Sequence, residues 1–99
     1  MTDKPWKVME RRVAAKLGGK RNPMSGAYDD LTAGDVVHEH LYIECKHGKN
    51  VPLLKLMHDT EAKARVEGKI PVLALHKKGE NHDYFLVRDD CLKTVAEFR

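Results

Sequence analysis

A small α/β domain, a mixed sheet flanked by helices, is what this sequence predicts. Three observations lead there. Segments with apolar residues at helical spacing alternate with segments rich in Val, Ile and Tyr. One run, IPVLALH at residues 70–76, is apolar throughout, as expected of a strand covered on both faces. A chain of 99 residues is enough for one small domain with a thin core. Residues 1–99 are therefore read as a single domain, for which dimerisation is a plausible support.

The first helix is expected from about Pro5 to Leu17. Proline suits the first helical turn, and Gly18-Gly19 stops the helix. Trp6, Met9, Val13 and Leu17 form one apolar stripe, and Glu10 falls within it. An acid turned toward a core needs a partner. Residues 18–34 are turn-rich and basic and read as a loop, with a short strand near Ala27 to Asp30. Residues 34–46 read as a hairpin turning at His38-Glu39-His40. A second helix is expected from about Pro52 to Glu67, ended by Gly68. Strands at 70–76 and 83–88 follow. A last helix runs to Phe98, with Asp89 or Asp90 as its cap.

Composition narrows the function classes. With 41% hydrophobic and 33% charged residues the chain is globular rather than disordered. No apolar run approaches the ~20 residues that span a bilayer, so no membrane partner is expected. The segment MTDKPWKVMERR lacks a signal-peptide core. Two cysteines, Cys45 and Cys91, make no disulfide framework, which suits a reduced intracellular compartment. Net charge is only +3, yet residues 1–22 carry seven basic residues and two acids. A basic end on a near-neutral body suits a polyanion.

The hairpin carries the most specific signal. A two-residue turn at Glu39-His40, or a four-residue loop from His38 to Leu41, sets Asp35 opposite Glu44. Opposed side chains share a face ~5 Å apart. Lys46, two residues on, shares that face, while Val36, Leu41, Ile43 and Cys45 make an apolar one. A three-residue turn would instead put Asp35 opposite Ile43. Two adjacent carboxylates repel unless a cation sits between them. Mg²⁺ accepts one or two carboxylates with waters and phosphate oxygens. Glu10 is a candidate third carboxylate, and Lys46 stands where it can hold or deprotonate an attacking water. That is a layout for metal-assisted phosphodiester hydrolysis.

These residues resemble the PD-(D/E)XK nuclease superfamily: Glu10 in WKVMERRV, Asp35 in GDVV, and Glu44 with Lys46 in YIECK. Small size and the basic N-terminus look most like the Holliday-junction-resolvase-type endonucleases of archaea and phages. The resemblance implies a restriction-endonuclease-like αβββαβ core, Mg²⁺ or Mn²⁺ as cofactor, branched DNA as partner and a homodimer. It implies catalytic roles for Glu10, Asp35, Glu44 and Lys46, with the Cys45 carbonyl as a further metal ligand. Ser25 would be the family's loop serine, at the DNA. Lys7, Arg11, Arg12, Lys20 and Arg21 are the basic residues expected to meet phosphates. The family's proline before the Asp is Gly34 here, and Asp29 and Asp30 are rival acids for the metal.

Other readings stand beside this one. A duplex-nicking or restriction-like nuclease would use the same residues. A catalytically idle DNA-binding module would keep the fold alone. His38-x-His40 with Cys45-x-His47 has zinc-like spacing, but the hairpin register sets His38 and Cys45 roughly 13 Å apart, too far for one ion. His47 and His58 are read as solvated by default. GGKRNP lacks the spacing and the Lys-Ser/Thr pair of a nucleotide-binding loop.

Overall fold

The structure is a computed structural model, and it describes residues 4–23, 34–48 and 50–98. The strand expected near Ala27 to Asp30 lies outside the described residues, as do Ser25, Asp29 and Asp30. Helix α1 spans Pro5–Leu17 and is followed by strands β1 (Lys20–Arg21), β2 (Val36–Val37) and β3 (Leu41–Gly48). Helix α2 (Leu53–Glu67), strands β4 (Ile70–Lys77) and β5 (Asp83–Leu86), a 3₁₀ turn (Asp89–Cys91) and helix α3 (Leu92–Phe98) complete the order. These five strands form one mixed sheet in sequential order, β1 to β5. Of their pairings, β3 with β4 is parallel and the others are antiparallel.

Helix α1 is bounded as its punctuation predicts. Pro5 occupies the first turn, and the Gly18 N–H returns to the Ala14 carbonyl. Met9, Val13, Ala14 and Leu17 are buried, but Trp6 is 38% exposed. The buried stripe therefore starts a turn later than the spacing predicts. At that end of the helix, Trp6 meets the charged groups of Lys7 and Arg21.

Side-chain alternation along β3 divides two layers. Leu41, Ile43 and Cys45 pack with Val36, Val72, Ala74, Val95 and the buried stripe of α1. Tyr42, Glu44 and Lys46 point to the other face, where α2 lies and Lys63 reaches Glu44. Tyr42 is almost fully buried, so the second face is roofed rather than open at that point. The central strand β4 is apolar on both faces: Val72, Leu73 and Ala74 are all fully buried. That matches the continuous apolar run and the parallel pairing with β3.

Two details differ from sequence expectation. Lys20 and Arg21, expected in a loop, form a two-residue strand against Val37 and Val36. A Cβ on Gly19 would lie 2.6 Å from the Val37 carbonyl oxygen, so glycine is what lets the helix end approach the strand. Asp89 and Asp90, expected to cap the last helix, lie instead in the first turn of the 3₁₀ segment that precedes it, where Arg88 bonds Asp90. Among the described residues, no helix is long and apolar enough to cross a membrane.

Candidate functional site

The hairpin register is the one the turn length predicts. Val36 pairs with Ile43, which places Asp35 at the level of Glu44. The ladder ends there in a bulge-like step. The Asp35 N–H donates to the Ile43 carbonyl at 2.9 Å, and the Cys45 N–H donates to Asp35 Oδ2 at 2.8 Å. A carboxylate oxygen thus takes the place of a backbone carbonyl. Such bulges re-aim a side chain at the end of a strand pair.

Gly34 makes the step possible. Its φ is +89°, and an added Cβ would lie 2.7 Å from the Ile43 carbonyl oxygen. Proline, locked near φ −65°, cannot adopt this conformation. Asn22, buried just after β1, secures the same bend: its side-chain amide donates to the Gly34 carbonyl at 2.8 Å and its N–H to the Asp35 carbonyl at 2.9 Å.

Glu44 lies beside Asp35, with its side chain 15% exposed. Burial, first, and the neighbouring Asp35 charge, second, push its carboxyl up to about 7. Lys63 on α2, whose Nζ lies 4.0 Å from Glu44 Oε1, and Lys46 pull the other way. Tyr42 shares this face, and its hydroxyl is held above its ordinary range chiefly by burial, with the nearby Glu44 charge adding to it. Lys46 is exposed on the same face of β3 as Glu44. Tyr42 and Lys63 escaped sequence reasoning. Tyr42 reads as an ordinary strand residue, and Lys63 reaches the site only through packing of α2 on β3.

Glu10 is buried on α1 and accepts a 2.9 Å ion-pair hydrogen bond from Arg21 Nε. Its inward position is thus explained by a partner. Cys45 also faces α1; burial, with nearby Asp35, Glu10 and Glu44, pushes its thiol up. Among the described residues, no three His, Cys, Asp or Glu side chains gather closely enough to hold a metal ion. The donor set fits a hard cation as a pair, Asp35 with Glu44, completed by waters or phosphate oxygens.

The basic residues divide into two groups. Arg12 forks onto Asp83 through two 2.6 Å bonds, and Lys16 adds a third at 3.0 Å. His76 Nδ1 also meets Asp83 at 3.0 Å, and the His76 ring stacks on His47. Asp83 is held well below the usual carboxylate range, mainly by Arg12. Arg21 is tied to Glu10. Lys7 is partly buried, and Lys20 and Arg11 are exposed. The histidine pair at the hairpin turn has a structural job. His38 Nδ1 accepts the N–H groups of His40 and Leu41 at 2.9 and 3.1 Å, while Nε2 donates to the Phe98 carbonyl at 3.0 Å.

A cavity of about 460 Å³ opens between the start of α2 and the β4–β5 hairpin, lined by Val51, Leu53, Leu75, Tyr84 and Leu86 among others. None of the candidate catalytic residues lines it. Comparison with family models, with curated proteins and with solved structures gives no match to this chain.

Proposed function

We propose that this protein is a divalent-cation-dependent endodeoxyribonuclease with a restriction-endonuclease-like core, acting on branched DNA as a homodimer inside the cell. The observation that carries this reading is the Asp35–Glu44 pair. A buried carboxyl set against a second one, with a lysine two residues along the same face, is costly as architecture and useful as a cation site. The element order α1-β1-β2-β3-α2-β4 agrees with an αβββαβ core.

Asp35 and Glu44 would hold Mg²⁺ or Mn²⁺, the Cys45 carbonyl being a further donor on the same strand. Bound there, the cation supplies positive charge at a phosphate and a more acidic water. Asn22 and Gly34 fix the backbone of Asp35. Tyr42, buried on the same face, helps exclude water beside Glu44. Lys46 orients the attacking water or stabilises charge on phosphorus. Lys7, Arg11 and Lys20 grip backbone phosphates, which positions the DNA without reading sequence. Arg12 and Arg21 act first through their own ion pairs.

A second reading, an idle DNA-binding module on this fold, is favoured by one observation: Glu10 is engaged by Arg21, and among the described residues no three metal-ligating side chains gather. A labelled four-way junction incubated beside matched linear duplex, with Mg²⁺ and then with EDTA, separates the two. Cleavage of the junction that EDTA abolishes supports the nuclease. Binding without cleavage in Mg²⁺ and in Mn²⁺ supports the module. Cleavage of the duplex at an equal rate supports a nicking or restriction-like enzyme.

A further inference from the structure

We propose that Trp6 is a stacking platform for an unpaired nucleobase, so that this residue selects branched or single-stranded DNA over continuous duplex; the inference rests on the DNA-directed reading above. Trp6 is the single tryptophan of the chain and is 38% exposed, although the rest of its helical stripe is buried. Core packing therefore covers only part of the ring. Two cations stand over its ring: Lys7 Nζ at 5.4 Å and Arg21 Cζ at 5.6 Å from the centroid. Arg21 is itself anchored by the buried Glu10, so the guanidinium is a fixed prop rather than a wandering charge. Lys7 sits on a flexible four-carbon stem that can move aside to a phosphate. Lys20, next to Arg21, and Lys4, at the start of α1, are exposed.

An aromatic ring interleaved with cations has two complementary needs, a π-face and anions. A nucleic-acid strand supplies both at one repeat. In continuous duplex the base faces are covered by their neighbours. At a branch, a fray or a single strand they are available. Phosphate contacts alone would not distinguish these substrates, because they are blind to pairing. The ring adds that distinction.

The single tryptophan makes the test direct. Wild-type protein is titrated with single-stranded oligothymidylate and with blunt duplex of equal length. Tryptophan emission is read alongside anisotropy of a label on the DNA. Saturable quenching by oligothymidylate, much smaller with duplex, is expected. Trp6→Ala should bind oligothymidylate about tenfold more weakly, the scale of one lost stacking contact, with duplex affinity changed less than about twofold. Trp6→Phe, which keeps a ring and guards against a folding defect, should recover most of the loss. Binding by anisotropy without any change in emission overturns the proposal. So does equal weakening on both DNAs, or wild-type affinity in Trp6→Ala. Mg²⁺-dependent junction cleavage by a protein whose Trp6 emission ignores DNA leaves the nuclease and removes the platform. Quenching by single strand with no cleavage of any substrate keeps the platform and removes the nuclease.

Discussion

Glu44 makes the stability of this protein depend on pH in a defined direction. Its carboxyl is raised from 4.5 to about 7 in the folded chain. Below about pH 4.5 both states are protonated and its contribution is fully present. As pH rises through 7 the folded state must ionise Glu44 beside Asp35, and that contribution is lost. The slope approaches ~1.4 kcal/mol per pH unit within this window, on the order of 3 kcal/mol across it. Glu44→Gln should remove the slope, so chemical denaturation of the variant at pH 8 should show higher stability than wild type. Mn²⁺ at pH 8 should raise the wild-type melting temperature and leave the variant unmoved. Lys46 belongs to the same face and, on the nuclease reading, acts mainly in the transition state. Lys46→Ala should keep fold and DNA affinity, yet lower the single-turnover cleavage rate at saturating enzyme at least ~10²-fold. An unchanged rate would remove Lys46 from the mechanism. Gly34 had a clear signal only in part. A glycine before an aspartate suggests a turn, but its positive φ follows from the bulge-like step.

Whole elements were more legible than the contacts between them. Pro5 and Gly18-Gly19 mark both ends of α1, and the continuous run at 70–76 marks β4 as the covered central strand. Turn length alone sets the β2–β3 register, so the placement of Asp35 beside Glu44 is legible in residues 34–46. Strand β1 was not, because Lys20 and Arg21 have no strand-like pattern and pair only through backbone against Val36 and Val37. The Arg12–Asp83 fork joins residues 71 apart and has no local signal. Glu10 was recognised as an acid needing a partner, but Arg21 as that partner was not. The clamp of His38 on its own turn and on Phe98 likewise depends on where α3 docks. Two element-scale outcomes follow. Asp83→Ala leaves the half-exposed Arg12 and Lys16 to water and should cost about 1–3 kcal/mol by denaturant unfolding. His38→Ala frees two N–H groups and the Phe98 carbonyl, and should cost about 2 kcal/mol. Faster amide exchange at His40 and Leu41 would identify the turn as the element loosened.

For the molecule as a whole, charge at the N-terminal end is less available than a count of lysines and arginines suggests. Arg12 and Arg21 are each held by a buried acid, while Lys20 and Arg11 are exposed. DNA affinity should fall steeply with salt, each phosphate neutralised adding ~0.9 to the log–log slope. Lys20→Ala should flatten that slope by about one such increment; Arg12→Ala should act mainly on stability. A slope unchanged by Lys20→Ala would leave this lysine as solvated surface. The central claim, however, is that Asp35 and Glu44 together form a divalent-cation site. Calorimetric titration of Mn²⁺ at pH 6, repeated in buffers of different ionisation heat, tests it most directly. Wild type should bind and release close to one proton per ion, because Glu44 gives up its proton to the cation. Release should shrink toward zero at pH 8.5, and both Asp35→Asn and Glu44→Gln should abolish binding. Binding of equal strength in either variant, or none in wild type, would contradict the account.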